Sequence, residues 1–196
     1  MACHLVAIGG SAGALDAVCT LLGLLPAAFP AALVVVQHRS RDSALLADVL
    51  QGCAALPVRE VEDKDPIRPG HVYLAPADYH LLVERGHFAL STDPPVRFSR
   101  PSIDVMLESA ADAFGPELVG VVLTGANRDG AAGLRRVVDR GGVALVQDPA
   151  TAEVPTMPRA ALHAVPEALA LPLRDIAEHL ITLVPPRHSP HAVEKP

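Results

Sequence analysis

The sequence predicts a doubly wound α/β domain, a mostly parallel sheet with helices on both faces and a small antiparallel hairpin insertion. Three observations predict it. Residues 5–9, 32–37, 118–123 and 143–147 are short aliphatic runs that barely alternate with polar residues, as strands buried on both faces do. Between such runs lie segments whose apolar residues recur at helical spacing. Half of the 196 residues are apolar, mainly Ala, Val and Leu, and only 3% are aromatic. That composition suits aliphatic strands under small-residue helices in one domain.

The elements follow in order. Residues 5–9 form the first strand, which enters the turn Gly9-Gly10-Ser11-Ala12-Gly13. Ala14, Leu15, Val18, Leu21, Leu22 and Leu25 then make one helix face, stopped by Pro26. A second strand over 32–37 ends at His38. Asp42 and Ser43 offer caps for a short helix bearing Leu45, Leu46, Val49 and Leu50, closed by Gly52. Residues 57–61 read as a further strand. After charged and Pro-Gly turns, residues 71–75, 80–84 and 87–91 are three short strand-like pieces, read as an inserted antiparallel hairpin region that contains His71, His80 and His87.

Residues 92–101, with three prolines, are a surface connection. Ser102 caps a helix bearing Ile103, Met106, Leu107, Ala110 and Phe114. The strand over 118–123 leads into Thr124-Gly125-Ala126-Asn127-Arg128-Asp129-Gly130, and Ala131, Leu134, Val137 and Val138 form the next helix face. A strand over 143–147, a short helix after Pro155-Thr156-Met157-Pro158 and a last helix from Leu173 to Val184 complete the domain, 1–184. The Pro/His-rich residues 185–196 are expected to be a disordered tail.

Composition narrows the function. The formal charge is −6, and Lys and Arg are scattered, which argues against nucleic acid as a partner. No apolar run approaches the roughly 18 residues of a membrane span, so no membrane insertion is expected. The first residues lack the pattern of a signal peptide. Cys3, Cys19 and Cys53 are isolated and odd in number, which argues against a disulfide framework or structural zinc and for a reducing cytoplasm. The histidines show no metal-ligand spacing, and neither metal nor cofactor is expected.

Ser11, His38 and Asp129 each fall just past the C-terminal end of a predicted parallel strand. In an open parallel sheet those ends share one edge, where ligands bind. If the first strand lies between the second and residues 118–123, the three loops converge. Ser, His and Asp are the types needed for a hydroxyl nucleophile, its general base and an orienting carboxylate. Each also has a plainer reading: Ser11 as a helix cap, His38 as a polar strand end, Asp129 as an N-cap before Gly130. A dinucleotide turn is disfavoured, because Ile8 stands where the fingerprint needs glycine and Gln37-His38 where it needs an acid. The chain order Ser-His-Asp also differs from that of α/β-hydrolases.

Several stretches together resemble the catalytic domain of the chemotaxis protein-glutamate methylesterases (CheB type). They are Val6-Ala7-Ile8-Gly9-Gly10-Ser11-Ala12-Gly13, Val35-Val36-Gln37-His38, and Pro69-Gly70-His71-Val72-Tyr73-Leu74-Ala75-Pro76 with His80. They continue with Arg100-Pro101-Ser102-Ile103-Asp104-Val105, Val121-Val122-Leu123-Thr124-Gly125 through Arg128-Asp129-Gly130-Ala131-Ala132-Gly133, and Met157-Pro158-Arg159-Ala160-Ala161. The resemblance implies a triad of Ser11, His38 and Asp129 without cofactor or metal. It implies hydrolysis of glutamyl methyl esters on methylated chemoreceptor helices, releasing methanol, and deamidation of receptor glutamines.

The chain departs from that family at Ala12, where a threonine is usual, at Ala14, where a glycine is usual, and at Ala126, where a methionine is common. His38 is followed by Arg39-Ser40, where Met-Pro is frequent. Ala12, which keeps its backbone N–H, and Ala126, whose small side chain would enlarge the pocket beside the triad, are the expected substrate and oxyanion contacts. Typical members also carry an N-terminal receiver domain; its absence here leads to an expectation of constitutive activity or control by a separate regulator. Two other readings stay open: a serine esterase or amidase of the same fold with another substrate, and a non-enzymatic regulatory module.

Overall fold

The computed structural model describes residues 4–38 and 45–184. Among these, seven parallel strands form one sheet: β1 (Leu5–Gly10), β2 (Ala32–Gln37), β3 (Val58–Glu60), β4 (Val72–Leu74), β7 (Leu118–Val122), β8 (Val143–Gln147) and β9 (Leu169–Leu171). Their spatial order is β3-β4-β2-β1-β7-β8-β9. Strand order therefore reverses beside β1: the chain adds β2, β4 and β3 on one side, then crosses to β7 on the other. A separate antiparallel hairpin pairs β5 (His80–Val83) with β6 (Phe88–Ser91).

The helices are α1 (Ala14–Leu24), α2 (Leu46–Cys53), α3 (Ile103–Phe114), α4 (Ala131–Asp139), α5 (Thr156–Ala164) and α6 (Leu173–Leu183). None of the described helices is long and apolar enough to cross a membrane. Alternate residues of the central strands feed two cores. Val6 and Ile8 join Leu21, Leu50 and Leu180 on one face, under α1, α2 and α6. Leu5 and Ala7 join Phe88, Leu107, Leu134 and Ala161 on the other, under the hairpin, α3, α4 and α5. Both cores exclude solvent almost completely, which accounts for the unbroken aliphatic runs in the strands.

Two expectations are corrected, and one further strand is present. Residues 71–75 do not belong to the inserted hairpin: Val72–Leu74 is hydrogen-bonded between β3 and β2 in the parallel sheet, and all three residues are buried. His71 therefore precedes a central strand, while His80 and His87 do lie at the hairpin. The edge strand Leu169–Leu171 carries no strand signal in its residues; its first two are exposed, and its pairing with β8 defines it. Cys19 of α1 and Cys53 of α2 are joined by a disulfide, with Cα atoms 5.2 Å apart. Packing of α1 against α2 brings them together across 34 residues, which spacing alone does not reveal. This removes the cysteine-based argument for a reducing compartment. Cys3, the caps at Asp42 and Ser43, and the tail 185–196 lie outside the described residues.

Candidate active site

The topology places the ends of β1, β2 and β7 side by side, in the order β2-β1-β7, with β1 in register with both neighbours. The turns leaving these strands are tied together by their backbones. His38 N–H donates to Gly10 O (3.2 Å), and Ser11 N–H donates to Thr124 O (3.0 Å). The Thr124 hydroxyl donates to Ala12 O (2.9 Å) and accepts the N–H of Val154 (2.8 Å). The β1 turn is thus latched both to the β7 turn and to the segment before α5.

Ser11 does not cap α1. The N-cap of that helix is Gly13, at φ 73°, with no side-chain cap. The Ser11 hydroxyl instead faces His38, with Oγ 3.2 Å from Nδ1. The other ring nitrogen of His38, Nε2, lies 2.8 Å from Asp129 Oδ2. The imidazole thus bridges a hydroxyl and a carboxylate, so the three residues read from the strand ends meet in one chain of hydrogen bonds.

Asp129 does not act as a side-chain cap of α4 either. Its carboxylate is fully buried and turned to the start of α3. Oδ2 accepts the Ile103 N–H (2.7 Å) as well as His38; Oδ1 accepts the Ser102 hydroxyl (2.9 Å), the Asp104 N–H (2.9 Å) and the Gly130 N–H (3.1 Å). Burial alone would push this carboxyl up, but the hydrogen bonds from His38, the Asp104 and Ile103 N–H groups and Ser102 outweigh it and hold Asp129 below its ordinary value. A carboxylate held ionised at a helix N-terminus can keep the imidazole proton on Nε2 and leave the Nδ1 lone pair free for the serine.

Gly9 is why α3 can come so close. A Cβ there would lie 2.2 Å from Ile103 Cγ2, so the bare backbone of β1 lets the first turn of α3 settle over the strand end. Ser102 begins that helix as expected, accepting the Val105 N–H at 3.4 Å, and its hydroxyl hydrogen goes to Asp129. Asp104, in the same first turn of α3, accepts the N–H groups of Gly130 and Gly133 (2.8 Å each) and pairs with Arg97 (3.0 Å). Burial is the largest influence on Asp104 and, with the neighbouring Asp129 charge, keeps it above its ordinary value.

Ala12 and Ala126 are exposed at the rim. Neither backbone N–H is hydrogen-bonded to another described residue. Ala126 is brought to the nucleophile by Gly125, whose Cβ, if present, would sit 3.0 Å from Ser11 Cβ.

Residue patterns did not single out Asn127, which is half-buried beside His38 with Nδ2 3.3 Å from Nδ1. Nor did they reveal that the N–H groups of Ile103 and Asp104 support Asp129; backbone donors leave no residue-type signal. His80, part of the matched motifs, serves the scaffold: Nδ1 accepts the Ser102 N–H (3.3 Å) and Nε2 donates to Pro94 O (3.1 Å).

Comparison with known proteins agrees with this architecture. The chain matches the family model described as CheB methylesterase over residues 6–180. A putative protein-glutamate methylesterase/protein-glutamine glutaminase of Leptospira interrogans is 44% identical over 180 residues, covering 91% of this chain and 93% of that protein. The protein-glutamate methylesterase/protein-glutamine glutaminase of group 3 operon of Pseudomonas putida is 44% identical over 90% of this chain, which spans 53% of its length. The crystal structure of the Thermotoga maritima CheB methylesterase catalytic domain superposes with a TM-score of 0.88 at 34% identity, covering 94% of this chain and 100% of that one. With a matching domain over nearly its whole length and the same fold, this chain belongs to the CheB methylesterase family.

Proposed function

We propose that this chain is a serine hydrolase that removes methyl groups from glutamyl esters on chemoreceptor helices, releasing methanol, and that it also deamidates receptor glutamines. One observation carries the reading of the residues: His38 bridges the Ser11 hydroxyl and the buried Asp129 carboxylate. Relatives bearing the methylesterase/glutaminase name over most of this chain supply the reaction. A cytoplasmic location belongs to the proposal and rests on the family's role in chemotaxis.

In this mechanism His38 Nδ1 takes the Ser11 proton as Oγ attacks the ester carbonyl, and Asp129 balances the imidazolium that forms. The Ala12 and Ala126 N–H groups bind the oxyanion; one such donor lowers a barrier by roughly 2.7–4 kcal/mol. His38 returns the proton to the leaving methoxide, giving methanol and an acyl-enzyme on Ser11. Water then attacks with His38 again as base, freeing the glutamate carboxyl. For glutamine the leaving group is ammonia.

The test is methanol release from methylated receptor helices by the wild-type chain and by Ser11→Ala. The expected result is release by the wild type and none by the variant, with an unchanged melting temperature. Near wild-type release by Ser11→Ala would overturn the triad. Exposed Ala126 opens the rim beside Ser11, which favours a second reading: hydrolysis of other esters. A panel of small esters turned over in preference to methylated receptor would select it.

A further inference from the structure

Asn127 stands where one imidazole nitrogen is approached by two donors. His38 Nδ1 has Ser11 Oγ at 3.2 Å and Asn127 Nδ2 at 3.3 Å. With its proton on Nε2, facing Asp129, the neutral ring offers a single lone pair at Nδ1. The orientation of the Asn127 amide is set by its other end: Oδ1 accepts the Asp129 N–H at 3.0 Å, so the NH₂ group is the end turned to His38. One side chain thereby spans two members of the triad, holding the Asp129 backbone through its oxygen and the His38 base through its nitrogen.

We propose that Asn127 is a positioning residue that keeps His38 in the tautomer with an unprotonated Nδ1. An amide N–H directed at Nδ1 is compatible with a lone pair there and repels a proton there. It therefore works in the same direction as Asp129, which draws the ring proton to Nε2. The two neighbours select the tautomer from opposite sides of the ring, and Ser11 meets a base ready to accept. When Nδ1 takes the serine proton the amide can no longer donate to it. This assignment rests on the triad reading above.

The experiment compares Asn127→Asp with Asn127→Ala. The aspartate keeps an oxygen for the Asp129 N–H but replaces the donor facing Nδ1 by an acceptor, which favours a proton on the wrong nitrogen. The alanine loses both contacts. A tautomer-selecting role predicts that Asn127→Asp is the worse enzyme, losing about 100-fold or more in kcat because wrong-tautomer triads are severely impaired. Asn127→Ala should lose only about three- to tenfold in kcat, the worth of the one ordinary hydrogen bond it removes from His38. KM should stay unchanged in both. A merely structural role in the turn predicts the reverse order, with the aspartate rescuing what the alanine loses; that order, or equal activities, overturns the proposal.

If Asn127→Ala does not fold, Asn127→Ser, which keeps a short oxygen and lacks the amide, takes its place with the same expected order. The pH-independent plateau of methyl-ester turnover and the rate of Ser11 labelling by a fluorophosphonate are both recorded, with Ser11→Ala as control. An active Ser11→Ala overturns the triad and this assignment with it. An inactive Ser11→Ala with the reversed Asn127 order overturns this assignment alone.

Discussion

His38 Nε2 lies 2.8 Å from Asp129 Oδ2, and that carboxylate has no exposure to solvent. Such burial would be costly for an uncompensated charge. Here the N-terminal N–H groups of α3, the Ser102 hydroxyl and the imidazole surround both oxygens. The pair can be read as one unit: a carboxylate that stays ionised, and a ring whose orientation follows from it.

Asp129→Asn should therefore preserve the fold and remove the function. The amide can present its NH₂ end to Nε2 and draw the ring proton to Nδ1, so kcat should fall by about 10⁴, as in other triads with the wrong tautomer. Methanol release and circular dichroism of the same preparation check this.

Asp129 also makes a pH-dependent contribution to stability. Its folded pKa is depressed, so its ionised form stabilises the fold. That contribution is present in full above the ordinary carboxylate value of about 3.9 and is lost as pH falls through the lower folded value. Asp104 is raised and runs the other way, favouring the fold when protonated. Because the Asp129 charge also raises Asp104, the first effect is isolated by comparing Asp104→Asn with the double variant that adds Asp129→Asn to it. The gap between their urea midpoints should be constant from pH 7 to about 5 and shrink below about pH 4. A gap that widens on acidification would contradict the assignment.

Ser102→Ala removes the cap of α3 and one donor to Asp129 Oδ1. A lost cap costs about 1 kcal/mol, and the melting temperature should fall accordingly. The backbone N–H groups of Ile103 and Asp104 remain, so turnover should fall severalfold rather than vanish.

Gly125→Ala places a methyl group 2.7 Å from Met157 Cε and 3.0 Å from Ser11 Cβ. Met157 has a flexible end that can yield; Ser11 moves only by displacing its hydroxyl from His38. Displacements of that order cost up to about 10²-fold in rate. Activity should drop far more than stability, as read by kcat and thermal melts side by side.

Cys53→Ser should lower stability by about 4 kcal/mol through the freed 34-residue loop. The oxidised wild type should melt higher than the reduced wild type, and the variant should be indifferent to dithiothreitol. A variant that melts with the oxidised protein would refute a stabilising link.

By itself, the sequence determined the alternation of buried strands and helices, because strand runs, helical spacing and Gly/Pro turns are local signals. It also placed Ser11, His38 and Asp129 at matching strand ends, since strand direction follows from the βα alternation. Tertiary structure alone decided the rest. Val72–Leu74 joined the parallel sheet because hydrogen-bond partners on both sides were available there, not because its three residues differ from hairpin strands. Cys19 met Cys53 through the packing of α1 on α2. Asp129 turned from capping α4 to the first turn of α3, 25 to 27 residues away, because bare Gly9 lets that turn approach. Asn127 became a neighbour of His38 across 89 residues. These are contacts between distant segments, several made by backbone groups that every residue carries, and only the folded chain specifies which of them meet.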